Sequence, residues 1–419
     1  MVKFTPQASC ADPQESASLS VDQARQRIAQ LIKPVTSWQK CALRDALDRV
    51  LHSEITSPIQ VPAYNNSAMD GYAIYGDDLS DSPVNLKQVG TAFAGHPYHG
   101  DVQRGECVRI MTGAMMPKQC NTVVMQEHVE VNGSMITLHG QHKKGQNVRF
   151  AGEDLTIGQT VLAEGHRITA ADLGLIASLG IAEVTVKRQL RVAFFSTGDE
   201  LRSIGDPLEL GQIYDSNRYT LYGMLKKCDV DIIDMGVIAD EKQALRDALI
   251  LASEQADVVI TSGGVSVGDA DYVKEMLDEL GQVNFWKIAM KPGRPLAFGQ
   301  INNALFFGLP GNPVSVMVTF YQFVKPALAA LSGQTEQISH LLRVNCISAI
   351  KKRAGRFEFQ RGILFNNNNG ELEVKTAGEQ GSGILRSMSI ANCFILLDEH
   401  CDGIEPNTRV TVQPFSGLI

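Results

Sequence analysis

The stretch ADVVITSGGVSVGDADY, residues 256–272, decides the fold class of this chain. Its first part is a short and nearly continuous apolar run, which is typical of a strand buried on both faces of a parallel sheet. A loop rich in glycine and serine follows at once. Because ligands bind where loops leave the carboxyl ends of parallel strands, the stretch predicts a sheet and a candidate binding loop together.

The same rhythm extends over residues 190–335, where apolar strand runs alternate with helical patterns. The strand runs are RVAFFS, DVDIIDMGVI, ADVVIT and ALFFG. The helical patterns lie near residues 217–227 and 241–253, in DYVKEML, and in PVSVMVTFYQFVKPAL. Such alternation predicts an α/β domain built on a doubly wound, mostly parallel sheet.

The flanking regions have other patterns. Ser20 and Gln23 form a capping box before a helical period, and TAADLGLIASLG at 169–180 is helical again, with short β-prone runs between them. Short strands and a hairpin turn at NNNNG, residues 366–370, predict a small C-terminal β barrel or sandwich, of which we take the barrel. The predicted multidomain division is a flexible N-terminus at 1–18, a discontinuous helical linker domain at 19–57 and 157–189, an inserted β-rich domain at 58–156, an α/β domain at 190–338 and a C-terminal β domain at 339–419.

The composition argues against several classes of protein. With 46 acidic residues against 38 Lys and Arg, the 419-residue chain carries a formal net charge of -8, which is unfavourable for a protein that binds nucleic acid. The eight cysteines include no C-x-x-C pair, so no zinc or redox framework is expected. Neither a secretory signal nor a membrane-length apolar run is recognisable, and we expect a cytoplasmic protein that binds no membrane.

The candidate chemistry lies in five loops that follow or join predicted strands: STGDEL at 196–201, VIADE at 237–241, TSGGVSVGDADY at 261–272, KIAMKPGRP at 287–295 and GLPGNPVS at 308–315. Glycine lets a backbone approach a ligand closely, and amide groups at a helix start attract anions. Neither a P-loop motif nor G-x-G-x-x-G after a strand is present, which argues against a P-loop ATPase and a Rossmann dehydrogenase. One such loop by itself could be an ordinary turn.

These loops bring carboxylates and cations toward one edge of the predicted sheet. The acids are Asp199, Glu200, Asp240, Asp269 and Asp271, and the cations are Lys287, Lys291 and Arg294. Neighbouring carboxylates repel one another, and a hard divalent ion such as Mg²⁺ resolves that conflict. The residues alone leave alternatives open, because Asp271 could merely cap a helix and the lysines could be exposed strand residues.

Seven motifs in the same order carry a resemblance to a known family. They are PAYNNSAMDGYAI (62–74), RIMTGAMMP (109–117), NVRFAGED (147–154), FSTGDEL (195–201), SGGVSVGDADY (262–272), KPGRPLAFG (291–299) and GLPGNPVS (308–315). Together they resemble the molybdopterin molybdenumtransferases of the MoeA type, a family that includes the gephyrin E domain. The resemblance implies Mg²⁺-assisted insertion of molybdenum from molybdate into adenylylated molybdopterin, with release of AMP. It also implies a homodimer whose sites are shared between subunits.

The resemblance assigns roles to the matching positions of this chain. The implied catalytic residues are Asp70, Glu200, Asp240, Asp271, Lys287 and Lys291, with Glu200 and Asp271 as metal ligands. The implied substrate-binding residues are Thr112, Arg149, Asp154, Thr197, Gly198, Ser262, Gly263, Gly264, Ser266, Gly268, Arg294, Pro310, Pro313 and Ser315. One position departs from the family pattern, because Asn65 stands where the family has an aspartate. An amide keeps an acceptor but loses the charge, which argues against a metal or base role there.

Two other functions compete with this interpretation. A molybdopterin adenylyltransferase or a related pyridine-nucleotide amidohydrolase is expected to share the α/β domain, but to lack the combination of inserted β module and C-terminal β domain. A scaffold protein that stores the cofactor without turnover would use the same pocket. The resemblance further implies a molybdopterin adenylyltransferase and molybdoenzyme chaperones as protein partners.

Overall fold

The computed structural model describes residues 18–79, 83–263, 277, 279–335 and 340–415. The α-helices in these ranges are α1 (Val21–Leu31), α2 (Ala170–Ser178), α3 (Ser216–Lys226), α4 (Lys242–Gln255), α5 (Pro313–Thr319), α6 (Lys325–Leu331) and α7 (Leu385–Ile390). Short 3₁₀ turns lie at Leu43–Asp45, Gly76–Asp78 and Gln126–His128.

The strands fall into groups along the chain. Those before α3 are β1 (Trp38–Ala42), β2 (Ile55–Thr56), β3 (Asn66–Ser67), β4 (Gly71–Ile74), β5 (Val84–Ala92), β6 (Glu106–Ile110), β7 (Thr122–Met125), β8 (Val129–Asn132), β9 (Met135–Leu138), β10 (Val148–Arg149), β11 (Thr160–Leu162), β12 (Glu183–Lys187), β13 (Arg191–Thr197), β14 (Leu201–Arg202) and β15 (Ile213–Tyr214). Those after α3 are β16 (Asp231–Ile238), β17 (Val258–Ser262), β18 (Gly281–Lys287), β19 (Met290–Lys291), β20 (Pro295–Ile301), β21 (Ala304–Leu309), β22 (Leu342–Cys346), β23 (Ile350–Lys351), β24 (Phe357–Asn366), β25 (Leu372–Thr376), β26 (Cys393–Leu397), β27 (Gly403–Ile404) and β28 (Thr408–Pro414).

The α/β domain is built on a six-stranded sheet in the order β16-β13-β17-β21-β20-β18. The pairs β16–β13, β13–β17 and β17–β21 are parallel. Neighbouring residues face opposite layers, since Phe194 packs with α3, α5 and α6 on one side while Phe195 packs with α4 on the other. The prediction of a mostly parallel sheet covered on both faces is therefore confirmed.

The strands β18 and β20 form an antiparallel extension that the predicted strand–helix alternation does not contain. A two-residue turn, Asn302–Asn303, joins β20 to β21, with Asn302 at a φ of 51°. Asparagine tolerates this left-handed region, which tight hairpins require. Two successive antiparallel pairings make β18 run in the direction of β21, so the loop after Lys287 still leaves the sheet at the common edge.

The helical segment Pro313–Leu331 contains a π-helical stretch at Phe320–Val324 between α5 and α6. Pro326 lies two residues after this stretch. It lacks an N–H and would clash with the carbonyl one turn earlier, which is a physical reason for the widened turn. The segment is long and apolar enough to cross a membrane, but 78% of its apolar window is buried inside the protein. That burial is typical of a core helix.

The β module before the α/β domain has a six-stranded sheet in the order β7-β4-β6-β5-β9-β8, and β3 pairs with β10 beside it. The linker region contains α2 and the antiparallel ladders β1–β12 and β2–β11 in addition to α1. The predicted capping box at Ser20 and Gln23 is confirmed. The apolar face of α1, which includes Ala24 and Ile28, packs into the core of the α/β domain.

The C-terminal region forms a closed five-stranded barrel, in which β24 pairs with both β25 and β26 and the ring continues through β22 and β28. The predicted barrel and the predicted hairpin turn between β24 and β25 are both confirmed. The short strand β19 adds to β24 in parallel and ties the barrel to the α/β domain.

Candidate functional site

The carboxyl ends of β13, β17 and β21 meet at one edge of the α/β sheet. Ser196 lies opposite Ser262, and Ser262 lies opposite Leu309. Gly263 follows with a φ of 91°, and a Cβ there would lie 2.5 Å from the carbonyl oxygen of Thr197. Only glycine fits this position without a backbone shift, because the left-handed conformation and the close approach both exclude a side chain. The glycine predicted to bind substrate is thus first a packing requirement of the edge.

Asn217 joins two of the predicted loops. Its Nδ2 donates to Ser262 Oγ at 2.9 Å and to the Gly311 carbonyl at 2.6 Å, while its buried Oδ1 has no hydrogen-bond partner. Sequence reasoning missed this residue. The available signal was the N-cap at Asp215, which begins α3 and brings the helix start to the sheet edge.

The acids of this edge lie on its exposed side. Glu200 is exposed, and a Cβ on Gly198 would come within 2.6 Å of Glu200 Oε2. Asp240 is also exposed, and its Oδ1 accepts a long hydrogen bond of 3.5 Å from Thr197 Oγ1. Because both carboxylates are exposed, a ligand that approaches this edge can reach them.

The oxygen atoms of Glu200, Asp240 and Thr197 are of the chemical type that a hard divalent cation binds, since oxygen ligands are usual for such ions. Within the described ranges, no group of three or more His, Cys, Asp or Glu side chains could share a metal ion. A Mg²⁺ ion commonly uses only one or two carboxylates together with substrate phosphates and water, so Glu200 and Asp240 fit such an ion without a complete protein cage.

The loop after β21 leads directly into α5. Pro310 is buried, and Pro313 is the first residue of the helix, where its missing N–H breaks no intrahelical bond. Ser315, two residues later, is buried. The Val314 N–H donates to the Ser382 carbonyl in the barrel, so part of this helix start is already engaged across the domain boundary.

The lysine loop lies where the α/β domain meets the barrel. The loop closes through the Ile288 N–H, which donates to the Arg294 carbonyl, and a Cβ on Gly293 would lie 2.6 Å from Thr319 Oγ1 in α5. Lys291 Nζ lies 3.5 Å from Oε1 of the buried Glu358 in β24. Arg294 is exposed and Lys287 is half-buried. The lysine predicted to hold an oxyanion is therefore already ion-paired.

A buried cation lies on the other side of β24 and was also missed by sequence reasoning. Arg361 donates to Ser387 Oγ at 3.0 Å and to the carbonyls of Glu379 and Gly381, and no carboxylate partner is found for it among the residues described. Burial lowers the pKa of its guanidinium to about 10. No local pattern predicts it, because its partners come from a loop and a helix further along the chain.

A second cluster lies in the β module around Asp70. The N–H and the hydroxyl of Thr112 both donate to Asp70 Oδ1, each at 2.7 Å. These hydrogen bonds, the backbone bond first, hold the pKa of Asp70 below its ordinary value of 3.8. The carboxylate is thus ionised and oriented by a neighbour in the turn after β6.

The other predicted residues of the β module border this cluster. Asn65 Oδ1 accepts from the Ala151 N–H at 2.8 Å, so the amide that replaces the family aspartate has a structural role in this structure. Arg149 lies on β10 and is exposed, as is Asp154, whose N–H donates to the Val61 carbonyl. These side chains are open to a ligand from outside the module.

The structure thus separates the predicted site residues into two groups. Thr197, Ser262 and Gly263 are brought together at the sheet edge, whereas Asp70 and Thr112 make their described bonds inside the β module. The predicted helix DYVKEML, except Leu277, and several predicted site residues lie outside the described residues: Gly264, Ser266, Gly268, Asp269 and Asp271.

Comparison with known proteins matches almost the whole chain. The MoeA N-terminal region (domain I and II) matches residues 19–180, the probable molybdopterin binding domain matches 193–330, and the MoeA C-terminal region (domain IV) matches 343–415. The molybdopterin molybdenumtransferase of Haemophilus influenzae is 45% identical over 404 residues, covering 96% of this chain and 100% of that protein.

Further relatives and a solved structure are similar to this chain over most of its length. The molybdopterin molybdenumtransferase of Bacillus subtilis is 34% identical, covering 94% of this chain and 93% of that protein. Gephyrin of Dictyostelium discoideum is 34% identical over 89% of this chain and 58% of its own length. A crystal structure of the molybdopterin biosynthesis MoeA protein of Pyrococcus horikoshii, 29% identical, superposes with a TM-score of 0.83 over 95% of this chain and 100% of that chain. The chain belongs to the molybdopterin molybdenumtransferase family of the MoeA type.

Proposed function

We propose that this protein is a molybdopterin molybdenumtransferase, which inserts molybdenum from molybdate into adenylylated molybdopterin and releases AMP. The observation that carries the proposal is the edge where Thr197, Ser262 and Gly263 meet, with carboxylates on its exposed side and the lysine loop beside it. The near-full-length likeness to named molybdenumtransferases supports it.

The reactants explain why such an edge suits the reaction. Molybdate and the phosphates of an adenylylated pterin are all anions, so bringing them together requires relief of their repulsion. The cations at Lys287, Lys291 and Arg294 supply that relief. A lysine is a compact cation suited to a tetrahedral oxyanion, while Arg294 offers a fork for a phosphate.

We assign a Mg²⁺ ion to the carboxylates, with Glu200 and Asp271 as its ligands and Asp240 close by. When bound, the ion would neutralise charge on the phosphoanhydride. Two neighbouring residues affect where these carboxylates lie. Thr197 donates a long hydrogen bond to Asp240, and Gly198 leaves room for the side chain of Glu200.

The β module enters the proposal through a dimer. Asp70, Thr112, Arg149 and Asp154 would complete the site of the partner subunit, with the two walls of the pocket supplied by different copies. Large apolar side chains are exposed near both clusters, which supports burial in an assembly. Those near Asp70 are Met69, Met115 and Phe150, and those after Glu200 are Ile204, Leu208, Leu210 and Ile213.

Mixing inactive subunits tests the shared site. A heterodimer of an Asp70→Ala subunit and a Glu200→Ala subunit should regain one working site, although each homodimer is inactive. The heterodimer is isolated with two affinity tags, and its AMP release is compared with both parents. Failure to recover activity in the isolated heterodimer would contradict sites shared between subunits.

Turnover separates this proposal from its alternatives. Purified protein supplied with adenylylated molybdopterin, molybdate and Mg²⁺ should release AMP and yield active cofactor. Stoichiometric binding without AMP release would favour a storage or scaffold role, and formation of the adenylylated pterin from ATP would favour an adenylyltransferase. The additional β module and barrel argue against the last function, which is expected of the α/β domain alone.

Two further assignments accompany the function. We place the enzyme in the cytoplasm, where a molybdopterin adenylyltransferase would supply its substrate and molybdoenzyme chaperones would receive its product. We also propose the domain division at residues 57, 156, 189 and 338. The apolar cores that lie within the β module, the linker and the barrel support this division, and a further core joins the α/β domain to α1 and to one face of the barrel.

A further inference from the structure

We infer that Glu358 of the C-terminal barrel is a positioning residue for the reaction, because it orients the ammonium group of Lys291 toward the incoming oxyanion. This inference rests on the proposed function of Lys291. Sequence motifs do not include Glu358, and the barrel that contains it carries none of the seven motifs. The inference therefore gives the barrel a part in the chemistry of the sheet edge.

The first support is geometric. The short strand β19 pairs with β24 so that Lys291 lies directly opposite Glu358. Two residues in register place their side chains on the same face, and Lys291 Nζ lies 3.5 Å from Glu358 Oε1. The backbone is held as well, since the Phe357 N–H donates to the Ala289 carbonyl. Both the chain and the side chain of Lys291 are thus positioned by the barrel.

The second support is the cost of this arrangement. Glu358 and Gln360 lie opposite Leu397 and Ile395, which belong to the apolar core of the barrel. A buried carboxylate is unfavourable, and an apolar residue of similar size at such a position commonly gives equal or greater stability. Packing alone therefore does not account for an acid here, whereas a fixed charge beside Lys291 does.

The third support is the commitment of Gln360 to this acid. Its Nε2 donates to Glu358 Oε2 at 2.5 Å, while its own buried Oε1 has no hydrogen-bond partner. A buried acceptor without a hydrogen bond is destabilising. The orientation of the Gln360 amide therefore favours the hydrogen bond to Glu358 over a partner for its own oxygen. The donor fixes one oxygen of Glu358 and leaves the other for the lysine.

The exposure of the pair shows how it can act on a ligand. The side chain of Lys291 is 49% exposed, whereas that of Glu358 is 6% exposed. Solvent and ligands therefore reach the ammonium group but not the carboxylate behind it. Glu358 limits the directions that a long and flexible lysine side chain can sample, and an oxyanion meets a cation whose position is already restricted.

The test compares binding of molybdate in variants of the full-length protein. Glu358→Gln keeps the shape and removes the charge, Lys291→Ala removes the ammonium group, and the double variant measures their coupling. Glu399→Gln removes an exposed carboxylate from the same barrel and serves as the control. For each protein, calorimetric titration gives the Kd of molybdate, kinetics give KM and kcat, and thermal unfolding gives Tm.

We expect Glu358→Gln to raise the Kd and KM of molybdate by about tenfold while kcat changes by less than about twofold, as for loss of a binding interaction. In the Lys291→Ala background the same substitution should add no further increase, because coupled residues are not additive. Gln360→Met, which keeps the charge and removes the amide donor, should give a smaller increase. The control should behave as the wild type.

Other outcomes overturn the inference. A Glu358→Gln protein with unchanged molybdate binding, or one whose kcat and Tm fall together while KM stays constant, would make the acid merely structural. Equal increases in the presence and absence of Lys291 would show that the two residues act independently. If Glu358→Gln does not fold, unchanged molybdate binding in Gln360→Met overturns the inference in its place. Wild-type protein that binds molybdate but releases no AMP would instead contradict the proposed function.

Discussion

Asp70 and Lys291 are both candidate site residues with one defined partner, but their partners differ in origin. Asp70 accepts from Thr112, which lies 42 residues away in the same β module. Lys291 pairs with Glu358, 67 residues away in a separate barrel. The first contact exists wherever the β module folds, whereas the second exists only when the barrel docks on the α/β domain. The orientation of the lysine therefore depends on tertiary assembly in a way that the orientation of the aspartate does not.

The glycines beside the two clusters differ in the same sense. Gly113, next to Thr112, has a φ of 80°, and apart from its two chain neighbours no described residue has an atom within 4 Å of the position that a Cβ would occupy there. Gly263, next to Ser262, has a φ of 91° and meets the Thr197 carbonyl. The β-module loop is open, and the sheet edge is closely packed.

The largest expected effect distinguishes the chemistry of the two regions. Glu200→Ala should lower AMP release by about 10²- to 10³-fold, the magnitude seen when a preorganised electrostatic group is removed, while Tm stays close to the wild type. The reason is that Glu200 is exposed and supports no core. Steady-state kinetics measure the rate of AMP release, and thermal unfolding measures Tm. Glu254→Ala on the exposed face of α4 is the control, and wild-type turnover in Glu200→Ala would remove this acid from the mechanism.

A smaller effect is expected in the β module. Asp70→Asn keeps an acceptor for Thr112 but removes the charge, and we expect AMP release to fall by about 10- to 100-fold with little change in Tm. Asn65→Asp offers a matched comparison, because it adds a charge beside the same cluster while keeping the oxygen that accepts from Ala151. Equal activity of Asp70→Asn and the wild type would show that the charge of Asp70 is not required.

Because the two glycines differ in packing, we expect their replacement by alanine to lower the free energy of unfolding by different amounts. Gly113→Ala should destabilise the protein by about 1 kcal/mol, the cost of the left-handed backbone alone. Gly263→Ala should cost about 1 to 3 kcal/mol more, because its Cβ would also lie 2.5 Å from a backbone carbonyl. Denaturant unfolding of both variants measures the difference. Equal destabilisation would mean that the edge relaxes easily and that the two loops do not differ in packing.

The smallest expected effect concerns the stability of the protein at acid pH. The folded pKa of Asp70 lies below 3.8, so its contribution is present above that value and is lost as the pH falls through the folded pKa. Thr112→Val removes the hydroxyl donor and should raise the pKa of Asp70 toward its ordinary value. Carboxyl chemical shifts followed against pH measure the change. An unaltered titration in Thr112→Val would show that the hydroxyl does not lower the pKa of Asp70, which would leave the backbone N–H and the charge of Arg109 as its causes.

Much of the fold and part of the site could be predicted because their signals are local. The apolar run of β17 and the capping box of α1 are read within a few residues, and so is the hairpin turn after Asn366. The site motifs were recognised as a set, in order along the chain, and the structure brings Thr197, Ser262 and Gly263 together as the parallel sheet requires. The antiparallel pair β18–β20 was missed, because its pairing depends on distant partners.

The missed residues share a physical cause. Asn217 bridges loops that lie 45 and 94 residues away, Arg361 donates to groups from a later loop and helix, and Glu358 meets Lys291 only through docking of the barrel. None of these contacts leaves a periodic or spacing signal. Considered only within its own helix or strand, each of these residues is an ordinary polar residue.

By itself, the sequence determined the alternation of strands and helices, the helix caps, the turns and the order of the site motifs, because these follow from apolar periodicity and from the conformational preferences of short segments. Only the tertiary structure decided which polar groups face one another at the sheet edge, which acid orients Lys291, and why Gly263 admits no side chain. Those features depend on close approach of atoms that are far apart in the chain, and such approach is set by packing of whole domains.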